Sequence, residues 1–178
     1  MLVLKNSIYF PNNDANVYKQ CRHHFHPKSN RGNFKMRMEK KIEIKSSPKR
    51  IYDILIDAKI ITKWNIGVDE IVEKEEGKEY HLKSSIGDIL IVDSEQVENE
   101  RATWHMKNST MNSIGYILEP KGDIVETTLW VDLDNKKLAK GYEKVGELTL
   151  KGLKNYVDFL EEGGNPEDFD KKQVKVSL

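Results

Sequence analysis

The sequence lacks the features that mark a secreted, disulfide-stabilised or membrane-spanning chain. It contains a single cysteine, Cys21, which cannot form an internal disulfide and agrees with a reducing compartment. No apolar run approaches the roughly 20 residues that a helix needs to cross a bilayer. The N-terminus is apolar for only four residues before Lys5, which is too short for a signal peptide. These absences predict a cytoplasmic protein with no membrane span.

Net charge is also absent, because 29 basic residues balance 29 acidic ones. The balance hides an uneven distribution along the chain. Residues 1–37 carry seven basic side chains and one acidic side chain, a net charge of +6, and the remainder of the chain carries −6. An acidic domain does not attract a phosphate backbone. We therefore expect no nucleic-acid binding by the domain, and any such affinity would lie in residues 1–37.

Regular hydrophobic patterning begins only near Glu39. The preceding residues 11–33 are rich in Asn, His, Pro, Ser and Gly and have little periodicity, as in a loop or a disordered segment. We predict a flexible basic segment at 1–37, one domain at 38–162 and a polar C-terminal tail at 163–178, whose last dozen residues are expected to be mobile. The basic segment is interpreted either as an appended leader or as a functional tail.

The predicted domain is α+β. Alternating isoleucine residues predict a half-buried first strand at Glu39–Ser46. Ser47 and Pro48 then suit the start of a short helix, and a second short helix follows at Ala58–Trp64. Turn signals about every ten residues predict six further antiparallel strands, at Val68–Glu75, Lys78–Ser85, Asp88–Glu98, Ala102–Asn108, Asn112–Glu119 and Asp123–Leu133.

A long amphipathic helix is predicted at Lys136–Glu162. Its apolar residues recur at three- and four-residue steps, and charged residues occupy its other faces. Gly141, Gly146 and Gly152 each lower its helix propensity by up to about 1 kcal/mol relative to alanine. They suit either a bend in the helix or close packing on the sheet. Such a helix buries its apolar stripe against one face of an antiparallel sheet of about seven strands.

Strand parity and the helical stripe predict which side chains face the enclosed space, because alternate strand residues point to opposite faces. His81, His105 and Trp130 are placed outside. The run Ile89–Val92 is apolar at both parities, so the directions of Asp93 and Glu95 stay open. The inward set is aromatic-rich and uncharged, and it suits either a filled core or a ligand pocket. It comprises Tyr80, Leu82, Trp104, Met106, Ile114, Tyr116 and Leu129 from the strands, and Tyr142, Val145, Thr149 and Tyr156 from the helix.

No catalytic or metal-binding motif stands out. The run Cys21–His26 contains one cysteine and three histidines, but its spacing matches no zinc pattern. The obvious acid–base candidates, His81 and His105, are placed outward. A pairing of Arg101 with Asp93 or Glu95 would be either a polar cluster at one end of the cavity or a surface ion pair. No glycine-rich phosphate loop or nucleophile elbow occurs. We predict no metal, no cofactor and no catalytic residue, and nothing in the sequence indicates an oligomeric state.

Two stretches of the domain carry a resemblance to a known superfamily. IEIKSSPKRIYDILIDAKIITKW, at 42–64, has a strand–Ser–Pro–helix–helix–Trp arrangement, and GYILEPKGDIVETTLWVDLD, at 115–134, is similar to that superfamily's last hairpin. Residues 39–162 thus resemble the START/Bet v 1-like helix-grip superfamily, which includes polyketide cyclase/dehydrase-like domains and the Hsp90-activator-homologue group. The resemblance implies a sheet wrapped around the C-terminal helix, with a cavity between them that binds an apolar or amphipathic small molecule.

The resemblance also adds one residue to the predicted ligand site. Trp64 matches the tryptophan after the second helix, close to the mouth of the cavity. Asp57 matches the acidic end of the first helix, usually a turn residue. The sequence departs from its relatives at Asn65, where they often place a proline.

Three functions remain open. We expect a carrier or sensor of a hydrophobic small molecule, which fits the uncharged inward set. The second is a cyclase, dehydratase or hydrolase that uses the same cavity. The third is a chaperone-activator-like module that binds protein through an exposed Trp130.

Overall fold

The computed structural model describes residues 36–75, 79–84 and 87–173, and it has the predicted α+β architecture. The helices are α1 (Pro48–Ile56), α2 (Ala58–Trp64) and α3 (Ala139–Glu161), and no helix in this part of the chain is long and apolar enough to cross a membrane. Residues 1–35 of the predicted flexible segment 1–37, including the Cys21–His26 run, and the end of the predicted tail at 174–178 lie outside the described residues, whereas Met36 and Arg37 belong to the first strand. The strands are β1 (Met36–Ile44), β2 (Val68–Glu75), β3 (Glu79–Ser84), β4 (Ile89–Val97), β5 (Arg101–Lys107), β6 (Met111–Lys121) and β7 (Ile124–Leu133).

All seven strands are antiparallel and form one sheet in the order β1-β7-β6-β5-β4-β3-β2. The first and second strands are therefore the two edges, and α1 and α2 carry the chain between them. The Ser47 side chain accepts a hydrogen bond from the backbone N–H of Arg50 at 3.2 Å, which caps α1. The Asp57 carboxylate accepts from the backbone N–H of Lys59 at 2.9 Å and caps α2. Asp57 is thus the single residue between α1 and α2, and the turn at this residue directs the end of α2 against α3.

The long helix α3 packs along the inner face of the sheet. Its C-terminal half is buried in a solid apolar core, where Leu153 and Tyr156 have no exposed surface. Gly152 makes the closest approach, since a Cβ atom there would lie 2.5 Å from the backbone oxygen of Trp64. Of the two roles considered for the helix glycines, close packing applies to Gly152, although its partner is α2 rather than the sheet. Gly146 does lie on the sheet, where a Cβ atom would be 3.2 Å from Met38 Cε.

The first strand begins at Met36, three residues earlier than predicted, and this extension covers the outer face of the sheet, opposite α3. Arg37 makes a two-pronged salt bridge with Asp132, with nitrogen–oxygen distances of 2.7 and 2.8 Å. Its guanidinium lies 4.1 Å from the ring centre of Trp130. The indole in turn lies across Gly115, where a Cβ atom would be 2.5 Å from it. Trp130 faces outward as predicted, but it is only 9% exposed, so the expectation of an exposed tryptophan is wrong.

The expectation of a mobile C-terminal tail is wrong for residues 167–173, the described part of the last dozen residues. Phe169 packs edge-on against Tyr156, with ring centres 5.0 Å apart. Lys171 donates hydrogen bonds to the backbone oxygens of Asn65 and Val68, at 3.2 and 2.6 Å. Burial lowers the pKa of the Lys171 ammonium group. The chain after α3 therefore clamps the connection between α2 and β2.

Replacing Gly152 by alanine is expected to destabilise the fold. The new methyl group would lie 2.5 Å from the Trp64 carbonyl oxygen, so α2 and α3 must separate. Overpacking of this kind costs about 1–3 kcal/mol, which should lower the midpoint of urea unfolding. Gly141→Ala is the matched control on the same helix, because no atom lies within 4 Å of a Cβ there. Equal midpoints for the two variants would contradict the close contact.

The Arg37 contacts predict where the folded domain begins. A chain that starts at Met36 keeps the salt bridge, whereas a chain that starts at Met38 leaves the buried Asp132 carboxylate without it. Leaving a buried polar group unpaired costs about 1–3 kcal/mol. We expect the Met36 chain to match the full chain in its free energy of urea unfolding, and the Met38 chain to be less stable by that amount. Equal stability of the two shortened chains would show that Arg37 contributes nothing.

Candidate functional site

A cavity of about 380 Å³ lies between the inner face of the sheet and the N-terminal half of α3, with α2 on one side. Eleven of the twelve residues predicted for the site line it. The twelfth, Tyr156, does not, because it is buried in the core beside Phe169. The helical stripe marks Tyr156 as buried, but periodicity alone cannot separate core from cavity wall. The eleven are Trp64, Tyr80, Leu82, Trp104, Met106, Ile114, Tyr116, Leu129, Tyr142, Val145 and Thr149, and their contact with a ligand stays a prediction.

Sequence reasoning missed wall residues in the first two helices, in the edge strand β2 and in β7. The helices contribute Leu55 and Ile61, and β2 contributes Ile71, which lies opposite Leu82. The last strand adds Val131. Strand parity could have found Ile71 and Val131, because both share the inward side of their strands. The helix residues could not have been found in this way, because a short amphipathic helix does not show which neighbour covers its apolar side.

A bulge in β4 decides the directions that the sequence left open. The register shifts between Ile91 and Asp93, so Ile91 lies opposite Met106 whereas Ser94 lies opposite Trp104. Both of those partners line the cavity, so the inner side of β4 changes from odd-numbered to even-numbered residues at the bulge. Alternation could not predict this, because it assumes an unbroken period of two.

The bulge leaves Asp93 at the rim of the cavity and Glu95 on the outer face. Asp93 is exposed, and its carboxylate accepts a hydrogen bond from the backbone N–H of Ser94 at 2.8 Å. Glu95 Oε1 lies 3.5 Å from His105 Nε2, and Nδ1 of that ring lies 2.9 Å from the Ser113 hydroxyl. His105 therefore belongs to a polar cluster on the outer face, as parity predicted.

The remaining polar candidates also lie away from the cavity. His81 is paired with Leu90 and is not part of the wall. Arg101 lies opposite Val97, at the far end of the β4–β5 pair from Asp93. Across residues 36–75, 79–84 and 87–173, no three His, Cys, Asp or Glu side chains are grouped to hold a metal ion.

The wall is apolar apart from a few hydroxyl and amide groups, the buried Trp64 indole N–H and the Asp93 carboxylate at the rim. Tyr116 is 4% exposed, and its ring meets Trp104 edge-on with centres 6.1 Å apart. Burial raises the pKa of the Tyr116 phenol, because a phenolate would lose its hydration. Thr149 on α3 is also 4% exposed. The site therefore offers hydroxyl groups in apolar surroundings.

The rim of the cavity is held by hydrogen bonds on two sides. Among the described wall residues, only Asp93 and Gln96 are exposed, so the cavity meets solvent beside β4. The Tyr52 hydroxyl donates to Gln96 Oε1 at 3.3 Å and ties α1 to this strand. On the other side lies the loop at Asn65, and the Lys171 ammonium group donates a hydrogen bond to the backbone oxygen of that residue. Both attachments restrain the opening.

No family model and no curated protein matches this sequence, whereas solved structures match its fold. A START superfamily protein from Mycobacterium smegmatis superposes with a TM-score of 0.60 at 17% identity, over 70% of this chain and 98% of that one. The Aha1 dimer from Colwellia psychrerythraea gives 0.57 at 18% identity, over 73% and 99%. DynU16, a protein in the dynemicin biosynthetic locus, gives 0.54 at 12% identity, over 73% and 49%.

These likenesses cover most of the residues that the structure describes. At 12–18% identity they show the fold alone, and that fold agrees with the element order, the seven-stranded sheet and the long C-terminal helix found here. The chain therefore has the START/Bet v 1-like helix-grip fold that its sequence predicts.

Proposed function

We propose that this chain binds or carries a hydrophobic or amphipathic small molecule in the cavity between the sheet and α3. The observation that carries the proposal is a cavity with a largely apolar wall between the sheet and α3. A volume of about 380 Å³ falls within the range of about 300–1,000 Å³ that is typical of small-molecule sites. Close-packed cores leave few voids larger than a water molecule, so ordinary packing does not account for this space.

The wall supplies the contacts that an apolar ligand needs. Leu82, Ile114 and Leu129 present aliphatic groups, and Trp104 and Tyr116 present aromatic rings. Moving a ligand from water onto such a wall is worth about 0.8 kcal/mol for each buried CH₂ group. Affinity should therefore rise with the apolar size of the ligand until the cavity is full.

The two other functions have less support. Acid–base catalysis needs an ionisable pair at the reacting atoms. Among the described wall residues the ionisable side chains are Asp93 and three tyrosines. The Asp93 carboxylate already accepts a hydrogen bond from the backbone N–H of Ser94. The fold likeness to the Aha1 protein is compatible with an activator-type module, but the surface first considered for it, around Trp130, is covered by Arg37.

Titration with N-phenyl-1-naphthylamine, an uncharged dye that fluoresces in apolar surroundings, tests the proposal. We expect saturable fluorescence enhancement with the full chain. Trp104→Ala and Tyr116→Ala should each weaken dye binding by about 2- to 12-fold or more, because an aromatic contact contributes about 0.5–1.5 kcal/mol beyond its buried area. His105→Ala should leave the affinity unchanged, because His105 lies on the outer face.

Thermal unfolding of each variant separates lost binding from lost folding. Native mass spectrometry of the freshly purified full chain gives an independent readout, since a retained apolar molecule adds a discrete mass. Equal weakening by all three substitutions would contradict the assignment of inner and outer faces. A folded chain without saturable dye binding would overturn the proposal.

A further inference from the structure

The Tyr116 hydroxyl has no hydrogen-bond partner among the described residues. Tyr116 lies in β6, lines the cavity and is 4% exposed. The Tyr116 ring makes an edge-on contact with the Trp104 ring, and this contact does not involve the hydroxyl. Buried tyrosine O–H groups usually find a hydrogen-bond partner. A molecule in the cavity can provide one.

Thr149 presents a second hydroxyl from the helix side of the cavity. It lines the same space and is 4% exposed. Tyr116 is the cross-strand partner of Leu129. A Cβ atom at Gly146, one turn before Thr149, would lie 3.5 Å from Leu129 Cδ2. Tyr116 therefore lies beside Leu129 on the sheet, and the turn of α3 just before Thr149 lies against the same residue.

A charged ligand group finds no counterpart on this wall. The described wall residues include no Lys, Arg or His, and their one carboxylate, Asp93, is at the exposed rim. Two further acidic residues, Glu98 and Asp53, lie near Tyr52, whose hydroxyl bonds to Gln96 at the rim. Burial, and after it the negative charges of these two residues, raise the pKa of Tyr52. An anionic group would lose its hydration there without gaining a cation.

We propose that Tyr116 and Thr149 anchor a neutral acceptor oxygen, a carbonyl or a hydroxyl, on an otherwise apolar ligand. This inference rests on the proposed function and narrows its ligand class. Tyr116 is the donor, because a phenol with an ordinary pKa of about 10 keeps its proton at physiological pH, and burial raises the pKa of Tyr116 further. The Thr149 hydroxyl donates to the same oxygen or accepts from a ligand hydroxyl. The two residues select for one oxygen, and the rest of the wall selects for apolar bulk.

Three ligands of matched size test the ligand class. Benzylacetone, hydrocinnamate and butylbenzene share a phenylethyl group and end in a methyl ketone, a carboxylate and an ethyl group. Each is measured at pH 8 by displacement of N-phenyl-1-naphthylamine from the full chain. We expect benzylacetone to bind at least about 10-fold more tightly than hydrocinnamate, because the carboxylate finds no cation.

Removal of single hydroxyl groups separates the anchor from general packing. Tyr116→Phe should weaken benzylacetone by about 3- to 10-fold and leave butylbenzene within about 2-fold, because one neutral hydrogen bond is lost and the ring remains. Thr149→Val keeps a similar shape, should act in the same direction, and serves if Tyr116→Phe does not fold. Tyr156→Phe is the matched control. Its hydroxyl is also buried without a described partner, but Tyr156 is not on the wall, so neither affinity should change.

The outcomes distinguish the inference from the function on which it rests. Equal weakening of benzylacetone and butylbenzene by Tyr116→Phe overturns the anchor and leaves small-molecule binding intact. Hydrocinnamate that binds as tightly as benzylacetone overturns the neutral ligand class in the same way. If neither the dye nor any of the three ligands binds to the folded chain, the proposed function fails together with the inference.

Discussion

The close contact between Gly152 on α3 and the carbonyl oxygen of Trp64 on α2 determines how the rest of the domain is arranged. Without a side chain at residue 152, the long helix can lie against the end of the shorter one. From that contact onward α3 is packed into a solid core with Leu153 and Val157, while before it the helix borders the cavity through Val145. One helix therefore serves as core at one end and as cover at the other.

The contrast between the two faces of the sheet explains where chemistry can take place. On the outer face, charged and polar side chains satisfy one another, as in the Arg37–Asp132 salt bridge and the hydrogen bond between His105 and Ser113. On the inner face, the Tyr116 hydroxyl stands among apolar groups where a single hydrogen bond is worth more than it is in water. A wall of this kind discriminates weakly between apolar shapes and strongly between the presence and absence of a matching polar atom.

Much of the fold follows from patterns that are visible along the chain. Strand parity places Trp104 and Tyr116 on one side and His105 on the other, because each strand has one buried face. Parity fails at β4, where the apolar run Ile89–Val92 conceals a bulge. At that bulge the inward-facing residues change from odd-numbered to even-numbered. The helical stripe marks Tyr156 as buried but cannot place it in the core.

Contacts between distant segments escape sequence reasoning altogether. Nothing in the polar composition around Lys171 indicates that its ammonium group will hold the backbone oxygens of Asn65 and Val68. In the same way, no local pattern indicates that Arg37 will cover Trp130. These interactions depend on segments that meet only in the folded chain, and local periodicity carries no information about them.

The pairing of β1 with β7 also governs how the chain can fold while it is being made. Arg37 and Asp132, which that pairing joins, are 95 positions apart. At about 5–20 residues per second, a ribosome spends on the order of 5–20 s on the intervening stretch. Throughout that time the residues of β1 have been synthesised, but β7, the strand with which they pair, has not. Every second residue of β1 from Arg37 to Glu43 is charged, and charges along an unpaired strand oppose its association with another chain. The alternating charged residues of β1, which face outward in the folded sheet, thus also oppose aggregation of the chain before β7 is made.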